Sequence, residues 1–284
     1  MHSVEETFTF WATVLGTALA VFDLIHSRAW LTGISLTFLG AAIFSSLYAW
    51  RERRTVKSAT VKIEGRSIDS LNIANLRRRI NQSLVIQEGE QLARIEGEDL
   101  TMTWRYTGYC RAEQETAMEF SVDSDNNVPF DELRCVAYDL RRDPGMQHKI
   151  RPLLVGPDGI SKKIAVPFLA PLKVQEPFGV LLKCHLPGCM KDGLEYYTST
   201  LSLGQDQVRR SAVRLLFVGE RPEWVRVYEC DSFGNAALLK DLQAARENNQ
   251  MSEYVDVADN VPAQSARIYA FMRADGRGRS WWHG

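Results

Sequence analysis

Leu100-Thr101-Met102-Thr103-Trp104-Arg105-Tyr106-Thr107-Gly108-Tyr109 alternates large apolar residues with polar ones. Successive strand side chains point to opposite faces, so Met102, Trp104 and Tyr106 share one face and Thr101, Thr103 and Arg105 the other. The pattern predicts a half-buried β-strand. Similar short runs occur at 60–63, 117–122, 133–140, 150–155, 163–169, 178–186, 194–203, 213–218, 224–230 and 266–272. Turn formers punctuate them: Asp125-Asn126-Asn127, Asp143-Pro144-Gly145, Gly156-Pro157-Asp158-Gly159, Pro187-Gly188 and Gly219. Short strands at this spacing predict a mainly β soluble domain, an antiparallel sandwich or barrel. Two helices complete the expectation. One covers 68–86, where Ile73, Leu76, Ile80 and Leu84 form a stripe at three- and four-residue steps. The other covers 236–245, with Leu238, Leu239 and Leu242 inward. The Gly- and Arg-rich tail, 273–284, reads as a mobile end or a partner contact.

Upstream, two apolar stretches lie back to back, 8–25 and 30–50, separated by His26-Ser27-Arg28-Ala29. Each has about the length that a bilayer-spanning helix needs. Trp30, Tyr48 and Trp50 flank the second stretch as interfacial aromatics do. Gly16, Ala20, Gly40 and Ala41 would let two such helices approach closely. The only charge in the first stretch is Asp23, near its end, where a headgroup boundary would hold it. A signal peptide does not fit, because Glu5 and Glu6 precede the stretch and no Lys or Arg does. Arg51, Arg53, Arg54 and Lys57 follow the second stretch, against Arg28 alone in the loop. The positive-inside rule then places both termini in the cytoplasm and the short loop outside. The expected organisation is a transmembrane hairpin at 1–50, a juxtamembrane connector with an amphipathic helix at 51–98, and a β-rich cytosolic domain at 99–284. The run Arg77-Arg78-Arg79 in that connector reads as a solvated face near anionic headgroups.

The formal net charge is −1, so bulk composition does not point to nucleic acid. Five cysteines at irregular spacing give no disulfide framework and read as reduced, buried thiols. The chain has no phosphate loop, dinucleotide fingerprint, serine elbow or paired-histidine zinc motif. Cys184, His185 and Cys189 supply three ligand types around a Pro187-Gly188 turn, where zinc wants four in local pairs. Asp123, Asp125 and Asn127 resemble the first half of a calcium loop. Val128 and Arg134, however, stand where that loop needs glycine and glutamate. No catalytic residue, metal or cofactor is expected. The candidate contact surface is basic: Arg141, Arg142, His148, Lys149, Arg151, Lys162 and Lys163 lie on consecutive strand ends and turns. If they converge, they suit a phosphorylated ligand, RNA or an acidic partner. Asp139, Asp143 and Asp158 are interspersed, which favours a solvated surface.

The hairpin at 8–50, the basic stop from Arg51 to Arg54 and the strand-rich region after Leu100 together resemble a known group. They look like the two-transmembrane effectors of bacterial anti-phage defence systems, those that accompany retrons or cyclic-oligonucleotide signalling. The resemblance is one of architecture, and no functional residue transfers with it. It implies abortive infection: a triggered or released cytosolic domain lets the helices disrupt the inner membrane. It also implies self-association and an RNA, nucleotide signal or nucleoprotein as trigger. The alternative expectation is a membrane-anchored adaptor or scaffold whose hairpin only anchors. Neither is an enzyme.

Overall fold

The computed structural model describes residues 60–63, 66–72, 81–123, 126–141, 148–200, 206–231, 235–263 and 265–274. The chain divides into two units, Met1–Ala59 and Thr60–Gly284. The second unit is built from strands. β1 (Thr60–Ile63) and β2 (Arg66–Asn72) form a small antiparallel pair. Then follow β3 (Leu84–Glu96), β4 (Asp99–Cys110), β5 (Gln114–Asp123), β6 (Val136–Asp139), β7 (His148–Ile150) and β8 (Leu153–Leu154). Next come β9 (Ser161–Lys173), β10 (Pro177–Leu186), β11 (Leu194–Ser199), β12 (Val208–Val218) and β13 (Pro222–Cys230). β14 (Ala236–Leu242), β15 (Ala244–Asn248), β16 (Met251–Val261) and β17 (Ala266–Arg273) complete the unit. Among the described residues the helical content is a single 3-10 turn, Phe130–Leu133.

An eight-stranded sheet in the order β15-β16-β12-β3-β4-β10-β6-β7 carries two smaller sheets on one face. One has the order β11-β17-β13-β14 and the other β5-β9-β8. Aromatic residues make both joints. Phe217 of β12 meets Phe271 of β17 edge-on, with ring centroids 5.0 Å apart. Trp104 and Tyr106 of β4 meet Phe120 of β5 at 5.9 and 5.6 Å. Phe178 of β10 meets Phe168 of β9 at 6.1 Å. Burial of each such ring contributes on the order of 2–3 kcal/mol. Strand β4 shows the pattern behind this packing: Leu100, Met102, Trp104, Tyr106, Gly108 and Cys110 are buried, and the residues between them are not. Strand β3 bulges between Ile86 and Glu88 opposite Gly108. A Cβ at Gly108 would lie 1.9 Å from the Val85 carbonyl oxygen, so the crossing requires glycine.

These observations correct several expectations. The sheet is not purely antiparallel, since β12 runs parallel to β3, with Arg210 facing Glu88 and Val218 facing Glu96. The helix expected at 236–245 is instead two edge strands, β14 on β13 and β15 on β16. Pairing to two different sheets overrides the helical spacing of the leucines, and Leu238 and Leu239 are exposed rather than inward. The helix expected at 68–86 begins inside β2 and ends inside β3, while Ile73, Leu76, Arg77, Arg78, Arg79 and Ile80 lie outside the described residues. Strand β3, placed in the connector at 51–98, is an interior strand of the largest sheet. The membrane assignment is corrected as well: among the described residues no helix is long and apolar enough to cross a membrane. The stretches 8–25 and 30–50 and the orienting Arg51, Arg53 and Arg54 lie outside the described residues, and the inner-membrane placement is not retained.

Candidate binding site

Side chains that point away from the two small sheets form an open outer face on the large sheet. Register aligns them in rows. One row runs Val257, Ala212, Glu90, Arg105, Leu181, Tyr138 and Lys149 across seven strands. The next runs Val255, Arg214, Leu92, Thr103, Lys183 and Val136. All are half-buried or exposed, and Val257 is 45% exposed. Ion pairs on this face, such as Arg105–Glu90 at 3.4 Å and Arg214–Glu253 at 3.9 Å, are solvated and worth little in stability. A cavity of about 350 Å³ opens beside Arg105 and Leu181 in the middle of the first row, lined by these two and by Thr107, Leu140, Arg141, Pro177, Phe178 and Gly179. Gly179 forms part of its floor because a Cβ there would sit 3.1 Å from Cβ of Leu140. The lining is mixed: Leu140, Pro177, Phe178 and Leu181 share it with Thr107 and the arginines Arg105 and Arg141.

Arg141 is not a free cation. Its Nε donates to both carboxylate oxygens of Asp139, at 3.0 and 2.9 Å, and Nη2 donates to Oδ2 at 2.6 Å. Nη2 also donates to the Ala170 carbonyl at 3.3 Å, and Nη1 lies 3.6 Å from Glu176. The guanidinium stands 5.2 Å from the centre of the Phe168 ring. Asp139 also accepts the backbone N–H groups of Arg141, at 3.0 Å, and of Leu169, at 3.4 Å. Burial pushes the Asp139 carboxyl up; the Arg141 side-chain and backbone hydrogen bonds, its charge and the Leu169 N–H outweigh this and hold it below the usual range. The pair therefore fastens the end of β6 to β9.

The other predicted basic residues do not converge on one free surface. Lys162 is buried. Its Nζ donates to the Gly159 carbonyl and to Asn127 Oδ1 at 3.3 Å, and pairs with Asp158 at 3.0 Å. The N–H of Phe130 and then Lys162 hold the Asp158 carboxyl below its ordinary value. The ammonium thus occupies oxygen ligands beside the stretch that resembles a calcium loop, and Asp123 of that stretch accepts from Ser161 at 2.6 Å. Lys163 pairs with Glu119 at 3.1 Å. His148 and Lys149 lie on the edge strand β7, with Arg151 just beyond it, and Arg142 lies outside the described residues. Among the described residues no group of three or more His, Cys, Asp or Glu side chains is placed to hold a metal ion.

Two buried polar clusters escaped the sequence reading. Gln91 Nε2 donates to Tyr106 Oη and to Ser199 Oγ, both at 3.0 Å, and its carbonyl accepts from Tyr197 Oη. Asp256 accepts from Tyr269 Oη at 2.8 Å and from Arg267 at 2.9 Å, with Lys240 Nζ at 2.6 Å. The Tyr197 and Tyr269 rings, 6.1 Å apart, link the clusters. Burial first, and then the neighbouring Tyr197, pushes the Tyr106 phenol up. Burial and then Asp256 do the same to Tyr269. Burial pushes the Asp256 carboxyl up, but Lys240, Tyr269 and Arg267 bring it below the usual range. Both phenols stay neutral near pH 7: Tyr269 donates across the sheets to Asp256, whereas Tyr106 accepts from Gln91 within the large sheet. A polar residue alternating within an apolar strand was the signal available for them.

No protein-family model matches the chain, and no curated protein does. Among solved structures, the chain is similar to an M1 zinc metallopeptidase from Deinococcus radiodurans, at 15% identity and a TM-score of 0.41. The match covers 66% of this chain and 42% of the peptidase, so the chain spans less than half the length of that protein. It is also similar to a putative nutrient binding protein from Legionella pneumophila subsp. pneumophila str. Philadelphia 1, at 9% identity and a TM-score of 0.41, covering 68% of each chain. Likeness at this level carries no argument about activity.

Proposed function

We propose that this chain is an adaptor whose β unit docks a protein partner on the outer face of its eight-stranded sheet. The observation that carries the reading is the pair of rows across that face, where Leu92, Leu181, Tyr138, Val255 and Val257 alternate with Arg105, Glu90, Arg214 and Lys183. Apolar side chains spaced among exposed charges suit an interface with an apolar centre and a polar rim. The cavity beside Leu181 suits one projecting side chain of the partner, held by apolar contact and oriented by Arg105. The antiviral-effector reading rests on 8–50, outside the described residues, whereas the adaptor reading rests on the β unit itself.

Comparative capture tests the proposal. The full chain and two variants are used as bait in extract of the source cell. The double variant L92E/L181E places charge on the outer face, and L239E places it on the exposed edge strand β14. A partner held by wild type and L239E but lost from L92E/L181E, with all three melting at similar temperatures, supports the proposal. No specific partner, or equal capture by all three, overturns it.

A further inference from the structure

All five cysteines lie among the described residues, and the sulfurs of two are in contact: Sγ of Cys135 and Sγ of Cys184 are 2.7 Å apart. We propose that Cys135 and Cys184 form a built disulfide site, which a small-molecule disulfide closes into a cross-strand bond between β6 and β10. The register places them together. β6 and β10 are antiparallel, with Ala137 facing Leu182 and Val136 facing Lys183. Cys135 immediately precedes β6, one step beyond the last pair of that ladder, which brings it to Cys184. Directly opposed strand residues have Cβ atoms about 4.5–5.5 Å apart, close to what a disulfide spans, so the backbone needs little movement.

The two thiols have different roles. Cys184 is buried on the inner face of β10, and the neighbouring Cys135, then its burial, push its pKa up. Cys135 is only partly buried, so it meets the oxidant. Its thiolate attacks one sulfur of a low-molecular-weight disulfide such as oxidised glutathione; an S–S bond forms to Cys135 and one glutathione thiolate leaves. Cys184 then gives its proton to solvent base and attacks Sγ of Cys135. The protein disulfide forms and the second glutathione thiolate leaves, taking up a proton. Two protein thiols are oxidised, one glutathione disulfide is reduced, and atoms and electrons balance. The ladder already holds the second sulfur in place, so the mixed disulfide should be short-lived. Closing the loop between 135 and 184 ties β6, which lies next to the edge strand β7, to the interior strand β10.

The test uses the full chain, incubated with oxidised glutathione at mildly alkaline pH and then denatured with a thiol-blocking reagent. Free thiols should fall from five to three. Tryptic cleavage after Arg134 and Lys183 should yield peptides 135–141 and 184–191 joined in the non-reduced digest. Because the second peptide also contains Cys189, the variant C189S should keep the link, whereas C135S should lose it. The unfolding midpoint of the wild type should move to higher urea on oxidation and return with dithiothreitol, and C135S should not shift. Five persisting thiols, a stable glutathione adduct on Cys135, or a link through Cys189 would each overturn the proposal.

Discussion

Replacing Arg141 by alanine tests whether the Asp139–Arg141 pair is a structural pin. The substitution removes three hydrogen bonds of 2.6–3.0 Å to Asp139, one of 3.3 Å to Ala170 and the stacking on Phe168. Asp139 keeps only two backbone donors, at 3.0 and 3.4 Å, while its residue remains 1% exposed. Removing one partner of a buried pair costs about 3–5 kcal/mol, because the other charge stays desolvated. At a urea slope of about 2 kcal/mol/M, a loss of about 4 kcal/mol lowers the midpoint by about 2 M. The double variant D139L/R141M leaves no orphan charge and should lose much less than the sum of D139L and R141M. Acid should narrow the gap between wild type and R141A. The Asp139 carboxyl is depressed in the folded state, so its contribution is complete above the unfolded value of about 3.9. It is lost as pH falls below that value through the folded one. Equilibrium unfolding in urea at pH 7 and at pH 3 measures all of this. A loss below about 1 kcal/mol for R141A, or additive losses in the double variant, would refute the reasoning, since either would mean that the charges are not desolvated together.

Two further substitutions follow from the same geometry. Gly108→Ala drives a Cβ to 1.9 Å from the Val85 carbonyl oxygen, so the bulge of β3 must open; a loss of about 3 kcal/mol or more is expected in urea unfolding, and an unchanged midpoint would contradict the bulge. Gln91→Ala leaves the hydroxyls of Tyr106, Tyr197 and Ser199 without their shared partner, for an expected loss of about 2–4 kcal/mol; Gln91→Glu keeps the length but adds a buried charge, and should be no better at pH 7.

Strands were legible where the inner face is wholly apolar. In β4 and β10 every second residue is buried and most are large, so period two is visible in the sequence. It fails for β16, whose inner residues include Ser252 and Asp256, both buried and polar. It fails again for β3, where Gly89 and Gln91 face inward between the charges of Glu88 and Glu90. Partners on other strands hold two of these groups: Tyr197 and Ser199 for Gln91, Arg267 and Tyr269 for Asp256. Periodicity cannot show partners so distant in sequence. Two members of the basic cluster show the opposite difficulty. Asp139 and Asp158 stand close in sequence to the cations they hold, but sequence does not say that Arg141 and Lys162 are buried with them.

The polar pins sit where the sheets meet. Gln91 joins β3 and β4 to β11, Asp256 joins β16 to β14 and β17, and Arg141 joins the end of β6 to β9. Aromatic contact between sheets is strong but has little direction, and it tolerates sliding. A carboxylate or amide whose donors come from the opposite sheet does not, because a shift of one residue turns each such side chain to the other face. The inner face is therefore committed to holding two small sheets in register against a large one. Apart from Arg141, which also lines the cavity, the outer face carries none of these pins, so its other residues can change with little loss of stability. That division makes the docking proposal testable: L92E and L181E alter the proposed interface while every inter-sheet pin stays in place. If binding resided instead between the sheets, no variant would separate it from folding.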